Sequence, residues 1–221
     1  MRLTTLTNVC EAVGVKQEEG IDRRPETANS EHGAYALHHY ESYLGEFYAY
    51  RRSFTFPGTI IRSLYRITWS EERECLIFDE DQKYHSTRLQ RDVDHSQSGE
   101  IYISNVTSLL HLLTKFEGAL RLVTLARLDP EKRTMGGIVL TQAKEPFYYK
   151  PSVSPICLRK IDQPNEPLAD GIRGAPKTMT PNDPDYAEAS QLLIEVEQTV
   201  AGFALRGLPP IQESSGENGS L

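Results

Sequence analysis

The longest strand-like stretch of the chain runs from Phe47 to Trp69 and is divided by a turn at Pro57-Gly58. Both arms are rich in aromatic and β-branched residues, which favour a pleated, half-buried surface. Proline presets the φ angle that the second position of a turn needs, and glycine accepts the positive φ that follows in a type II turn. The pattern therefore predicts a β-hairpin around which the rest of the domain folds.

Further runs of β-type residues, separated by polar turns, follow this hairpin along the chain. Their pattern predicts additional strands at Cys75–Phe78, Tyr84–Val93, Gly99–Ile103, Leu109–Thr114, Ala119–Leu128, Met135–Thr141 and Val153–Leu158. The run from Val106 to Phe116 also fits a helical period, and we favour a strand because its neighbours are strands. Within the sheet, Gly136-Gly137 predicts a bulge or a sharp bend, and Pro155 predicts an edge or a bulge. Many short strands without intervening helices indicate an antiparallel β-barrel or sandwich.

Helical patterns flank the strands on both sides. Apolar residues recur at helical spacing within residues 1–17, and a second helix is expected from residue 31 to about Leu44. The strongest helical pattern lies near the C-terminus, where Asp183 would be the N-cap and Pro184 the first helical residue. Its apolar stripe consists of Ala189, Leu192, Leu193, Val196, Val200 and Phe203. The predicted fold class is α+β, mainly β, with an N-terminal helical segment and a C-terminal amphipathic helix.

The same patterns divide the chain into four parts. Residues 1–17 form the helical segment, and the charged residues 18–30 form a linker with almost no apolar side chain. Residues 31–206 form the barrel-like domain with its flanking helices. The polar tail 207–221 has the composition of a disordered segment.

Composition narrows the compartment and the partners. No run in the 221 residues approaches the length of a membrane span, and the N-terminus lacks the apolar core of a secretory signal. The three cysteines, Cys10, Cys75 and Cys157, are widely spaced, which is typical of a reducing compartment rather than of a disulfide framework. We therefore expect a cytoplasmic protein with no membrane contact. Its net charge of −7 offers no general attraction to nucleic acid.

The predicted hairpin carries an unusual charge pattern, because four arginines and no carboxylate lie between Phe47 and Ser70. In extended strands Arg52 shares a face with the aromatic residues before it, while Arg51 points the other way. Guanidinium groups match carboxylates and phosphates, so this face is a candidate for a small anionic ligand or an acidic protein partner. The candidate residues are Tyr48, Tyr50, Arg52, Arg62 and Arg66. The alternative is a solvated sheet face whose arginines pair weakly with acidic loops.

The remaining polar residues give no clear catalytic or metal site. The histidines are scattered and lack the spacing of metal ligands, so no metal and no cofactor are predicted. Asp94-His95-Ser96 places three triad residue types in a row, but a triad is a spatial arrangement and no glycine-flanked serine accompanies it. We therefore assign no catalytic residue. If the barrel is an enzyme instead, His95 or His111 is the candidate base.

A set of motifs resembles a known family. The stretch YLGEFYAYRRSF from Tyr43 to Phe54, with Pro57-Gly58 and the run Ile60–Leu64 after it, is similar to part of bacterial helix-turn-helix regulators of the XRE (Cro/repressor-like) class. The sequence GIVL at 137–140 and residues 155–158 extend this resemblance to their C-terminal region. In that class a small helical DNA-binding domain precedes a β-rich domain for ligand sensing or assembly. Residues 1–17 are too short for a complete helix-turn-helix, so DNA contact is expected only through a region absent here.

The resemblance implies a non-enzymatic regulatory domain that binds a ligand or a partner. Two alternatives remain open at this point. One is a small-molecule enzyme on a ligand-holding barrel. The other is a dimerisation module, in which the helix at Ala189 to Phe203 pairs or exchanges between the subunits of a homodimer.

Overall fold

A computed structural model describes residues 26–86, 90–144, 149–161 and 175–200 of the chain. The predicted helical segment 1–17, most of the linker and the tail 207–221 lie outside the described residues. The described part contains three short 3₁₀ helices, eleven strands and one α-helix. The strands are β1 (Gly45–Arg52), β2 (Ile60–Ser70), β3 (Cys75–Asp81), β4 (Lys83–Ser86), β5 (Arg91–Asp94), β6 (Gln97–Ile103), β7 (Leu110–Phe116), β8 (Ala119–Leu125), β9 (Thr134–Lys144), β10 (Tyr149–Lys160) and β11 (Lys177–Met179). The helix α1 is Tyr186–Thr199.

Eight strands form a closed antiparallel barrel, which decides between the barrel and the sandwich. Around the barrel the order is β1-β10-β9-β8-β7-β6-β3-β2, and β2 pairs back with β1. The predicted hairpin is confirmed as β1 and β2, with Tyr50 opposite Arg62 and Gly58 in the turn at a φ of 73°. The predicted strand at the end of Val106–Phe116 is confirmed as β7.

The barrel interior is filled by alternating side chains of the eight strands. An eight-stranded barrel is just wide enough inside to be packed in this way. The buried interior residues include Phe47, Ala49, Tyr65, Ile67, Leu76, Phe78, Ile101, Ile103, Leu110, Leu112, Val123, Leu125, Met135, Val139, Ile156 and Leu158. This interior is the main hydrophobic core of the domain.

One end of the barrel is closed by the chain that precedes β1. Here the predicted helix from residue 31 to Leu44 is wrong, because the segment forms 3₁₀ helices at Ser30–His32, Leu37–His39 and Glu41–Tyr43. Gly33, at a φ of 107°, and Ala34, at 50°, are left-handed and end the first of these turns. The Tyr35 hydroxyl accepts a hydrogen bond from the Leu76 N–H at 2.7 Å and ties this segment to β3. Residues 26–30, the end of the predicted linker, belong to the same closure, and Ala28 is buried in the core.

Helix α1 packs on the outside of the barrel wall against β1, β2, β9 and β10. The predicted apolar stripe is confirmed where the structure describes it, because Ala189, Leu193 and Val196 are buried. The helix begins later than expected, since Asp185 holds the N-cap position and Asp183 instead accepts hydrogen bonds from Thr180.

The predictions for the glycine pair Gly136-Gly137 and for Pro155 have different outcomes. The β9–β10 register runs without interruption through Gly136 and Gly137, and the β8–β9 register extends to Gly137, so the bulge, one of the two predicted alternatives, is wrong. Close contact explains these glycines instead: a Cβ on Gly137 would lie 1.9 Å from the Thr124 carbonyl oxygen. Pro155 lies just past the last β1–β10 pair, where the Ser154 hydroxyl contacts the Arg52 N–H and carbonyl at 3.1 and 3.2 Å. The proline therefore occupies the end of that ladder, where no N–H is needed.

Beyond the barrel, β4 and β5 form a separate two-stranded sheet, and β11 pairs with the start of β2. The predicted single strand from Tyr84 to Val93 is thus a hairpin. Its strands continue the β3–β6 hairpin past the barrel end opposite the closed one.

Candidate functional site

The end of the barrel opposite the N-terminal closure contains a group of buried polar side chains, which we call the polar layer. Each of these side chains projects into the barrel from a residue near the end of a strand or, for Gln82, from the residue that follows β3. Their residues are 1 to 9% exposed, except Arg121, whose side chain is 11% exposed. The polar layer consists of Arg51, Ser63, Glu80, Gln82, Thr114 and Arg121.

Glu80 is the anionic centre of the polar layer. Its carboxylate accepts a hydrogen bond from the Ser63 hydroxyl at 2.8 Å and forms an ion pair with Arg121. Arg121 also donates to the Tyr65 hydroxyl at 3.2 Å. Burial alone would raise the pKa of Glu80, but Arg121, Arg51 and Ser63 outweigh it, so this pKa lies below its ordinary value. Glu80 is therefore an ionised, fully engaged carboxylate.

Arg51 is the second cation of the polar layer. Its guanidinium donates to the Gln82 side-chain oxygen at 3.3 Å and to the Arg52 carbonyl at 3.2 Å. The Phe54 ring covers the group, with its centroid 4.6 Å from the guanidinium carbon. Burial, and then the charge of Arg121, lower the pKa of Arg51 to about 10. Such a shift is the mark of a buried cation that lacks full compensation.

Polar atoms without a partner concentrate in the same layer. Among the described residues, four buried side-chain nitrogen or oxygen atoms have no hydrogen-bond partner. Three of them are Arg51 Nε, Gln82 Nε2 and Thr114 Oγ1. Leaving a buried polar group unpaired costs about 1–3 kcal/mol, so three at one place need an explanation.

His95 lies beside the polar layer without belonging to a triad. Its backbone N–H donates to the Gln82 carbonyl, and the Ser96 hydroxyl accepts from the Gln82 N–H. Asp94 accepts from the Ser96 N–H, so Asp94-His95-Ser96 forms a local turn. Although the residue is exposed overall, desolvation of its ring by the surrounding chain lowers the pKa of His95, and Arg51 adds to the effect.

Four of the five predicted binding residues lie together on the outer wall, beneath α1 and next to it. Tyr48 and Tyr50 are buried there with the apolar residues of the helix. Arg52 pairs with Glu197 at 2.6 Å, and Arg62 pairs with Asp185 at 3.4 Å and donates to the Ala175 carbonyl at 2.8 Å. This face is thus occupied by an acidic helix of the same chain.

The remaining predicted residues lie elsewhere. Arg66 is exposed on the outer wall and pairs with Glu46 at 2.8 Å. His111, one of the two candidate bases, contacts the Thr124 hydroxyl at 3.1 Å on the outer side of β7 and β8. The structure therefore does not bring Arg66 or His111 to the polar layer.

The sequence contains one signal for the polar layer, because the alternation of side chains along a strand places Arg51 on the opposite face from Arg52. The pattern around Arg121 is misleading, because Leu120 and Leu122 flank it and suggest that the leucines face inward. The structure shows the reverse: Leu120 is 53% exposed, while Arg121 points into the barrel. Inward arginine and outward leucine is the opposite of the usual pattern of a half-buried strand.

In the described ranges, no group of three or more histidine, cysteine or acidic side chains is arranged to hold a metal ion. Helix α1, like the rest of the described chain, offers no helical segment with the length and hydrophobicity of a membrane span. No family model, no curated protein and no solved structure matches the chain.

Proposed function

We propose that this chain is a non-enzymatic binding domain whose polar layer holds a small anion. The charge balance of the layer carries the proposal. Two guanidinium groups, those of Arg51 and Arg121, share the single carboxylate of Glu80 in a buried interior. Glu80 contacts Arg121 and Ser63. Within the described part of the chain, Arg51 has no carboxylate within ion-pair distance.

An unpaired buried cation is costly, and an anion beside it removes part of that cost. Desolvation penalties for buried ions amount to several kcal/mol even after the protein relaxes. The pKa of Arg51, lowered to about 10 by burial and by Arg121, reflects the same penalty. An anion bound at Arg51 therefore restores neutrality to the layer and stabilises the fold by linkage.

The non-enzymatic part of the proposal is supported by the state of the candidate acid–base groups. Glu80 is ionised, and its two carboxylate oxygens contact Ser63 and Arg121, so it acts as a charge partner within the layer. Among the described residues, His95 forms no side-chain hydrogen bond with Glu80, and apolar side chains of the strands pack inside the barrel. A regulatory role in a helix-turn-helix regulator, suggested by the resemblance above, fits a ligand-binding barrel and stays a prediction.

The outer-wall candidates have a different place in this proposal. Tyr48, Tyr50 and Arg62 are buried under α1, so an external ligand or partner would reach them only after the helix is displaced, and the half-buried Arg52 already pairs with Glu197 of that helix. We therefore place the ligand site in the barrel end rather than on this face. Partner binding and dimerisation through the outer wall stay predictions.

The test compares the wild type with Arg51→Met, a variant that removes the buried charge but keeps much of the volume. Burying a charge carries a desolvation penalty of several kcal/mol, which the variant removes, and circular dichroism would verify the fold. Thermal unfolding would be measured in sodium acetate, phosphate and sulfate against sodium chloride of equal ionic strength. We expect at least one of these anions to raise the Tm of the wild type and of the control Arg66→Met, but not that of Arg51→Met. Equal responses of the wild type and Arg51→Met would refute the proposal.

A further inference from the structure

We infer that the anion is a carboxylate monoanion, bound by the free edge of Arg51 together with the Gln82 amide. The inference rests on the function proposed above and narrows its ligand class. It is carried by the unpartnered hydrogen-bond donors of the layer, together with its single uncompensated positive charge.

Arg51 has one edge of its guanidinium available. Nη1 donates to the Arg52 carbonyl, and Nη2 uses one of its two hydrogens on the Gln82 oxygen. Nε–H is buried and has no partner. In a guanidinium, Nε–H lies parallel to one of the two Nη2 hydrogens, and this parallel pair is the fork that binds both oxygens of a carboxylate. The unpartnered Nε–H is the donor on which we base this mode of binding. Because Phe54 covers the face of the group, the edge is the side left for a ligand.

Gln82 adds a donor beside that edge. Since its side-chain oxygen accepts from Arg51, its Nε2 is oriented by the same contact, and this nitrogen is buried without a partner. Gln82 is 1% exposed, so water does not reach most of its surface. The Thr114 hydroxyl, also buried and unpartnered, is a further donor in the layer.

The set of unpartnered groups matches a carboxylate better than a phosphate. Arg51 Nε–H and the Gln82 amide only donate, which suits a ligand oxygen that only accepts, and a carboxylate carries no proton at neutral pH. A phosphate carries a second charge or a proton, whereas the layer has one uncompensated positive charge. Apolar core residues lie beneath the layer, so we infer that the carboxylate approaches from the barrel end opposite the N-terminal closure and that any remainder of the molecule lies outside.

Two variants separate this inference from simple anion attraction. Arg51→Lys keeps the charge but loses the fork, so we expect acetate affinity to fall about tenfold or more while weak phosphate binding is unchanged. Gln82→Glu places a carboxylate of the protein next to Arg51, so we expect a higher Tm and no further response to acetate. Arg66→Lys, on the exposed outer wall, is the matched control and should bind acetate like the wild type.

Binding would be measured by titration with sodium acetate, sodium phosphate and sodium sulfate at constant ionic strength. A short peptide with a free C-terminus, compared with its amidated form, tells whether the carboxylate of a peptide also binds. Phosphate or sulfate bound as tightly as acetate, or full acetate affinity in Arg51→Lys, would overturn the carboxylate assignment and leave the anion site standing. A Gln82→Glu variant that still responds to acetate would also overturn the assignment. If no anion binds the wild type, the function proposed above fails with it.

Discussion

The substitution Glu80→Gln tests how far the fold depends on charge compensation inside the barrel. The carboxylate side chain is 0% exposed and contacts both Arg121 and Ser63. Glutamine has nearly the same shape, so the change removes the negative charge without opening a cavity. It leaves two guanidinium groups, Arg51 and Arg121, in one buried layer with no carboxylate partner.

The expected cost follows from these contacts. The glutamine oxygen still accepts one hydrogen bond and its amide still reaches the Ser63 hydroxyl, so the main loss is the charge. Removing one partner of a buried ion pair destabilises proteins by about 3–5 kcal/mol. For a chain of this length each kcal/mol lowers the Tm by about 2–4 °C, which predicts a decrease of about 6–20 °C. Glu46→Gln is the matched control, because its exposed pair with Arg66 contributes only about 0–1 kcal/mol.

The pKa of the Glu80 carboxyl group also predicts how the stability of the fold changes at acid pH. The pKa of Glu80 in the folded protein lies below its ordinary value of 4.5, because Arg121, Arg51 and Ser63 outweigh its burial. A carboxyl group whose pKa is lowered by folding contributes its full stability above the unfolded pKa and loses it as the pH falls through the folded pKa. The difference between the wild type and Glu80→Gln should therefore be full at pH 7 and shrink below about pH 4.5. Urea unfolding at several pH values measures both effects. A Glu80→Gln cost equal to that of Glu46→Gln, or a difference independent of pH, would refute the reasoning.

Two further predictions concern the helix contact and the cysteines. Gly136→Ala places a Cβ 2.8 Å from Val196 Cγ2 on α1, so it should lower the free energy of unfolding by about 1–3 kcal/mol. In the double variant with Val196→Ala, the loss of stability measured by urea unfolding should be smaller than the sum of the two single losses. Strict additivity would contradict that contact. Burial raises the pKa of Cys75 to about 11 and that of Cys157 to about 12, so in a Cys10→Ser background both thiols should react slowly with a disulfide reagent at pH 8 and quickly after unfolding. Fast reaction of either thiol in the folded protein would contradict its burial.

An antiparallel β domain, either a barrel or a sandwich, could be predicted from the sequence because the signals for its strands and turns are local. Pro57-Gly58 specifies a turn, and the alternating residues on either side specify strands that pair across it. The same holds for α1, where the buried Ala189, Leu193 and Val196 recur at helical spacing. In each case the residues that determine the element lie within one stretch of chain.

The prediction of a helix from residue 31 to Leu44 was wrong because the apolar residues of this segment are buried by contacts distant in sequence. Leu37 and Tyr43 are buried by the barrel end that they close rather than along one helical face. The Gly33 carbonyl accepts from the Asn105 side chain, and a Cβ on Gly33 would lie 2.0 Å from the Ile103 carbonyl oxygen. A periodic apolar pattern alone could not distinguish this closure from a helix.

The polar layer depends on strand parity, which is why none of its residues was among the predicted binding residues. Arg51 and Arg52 are neighbours, yet one enters the barrel and the other pairs with Glu197 on the outer helix. Because side chains alternate with a period of two, a one-residue shift of β1 would exchange their roles. Phe47 and Ala49 prevent that shift, since both are buried in the core on the same face as Arg51. The apolar packing that holds β1 in register is thus also what places the Arg51 guanidinium inside the barrel, next to Gln82.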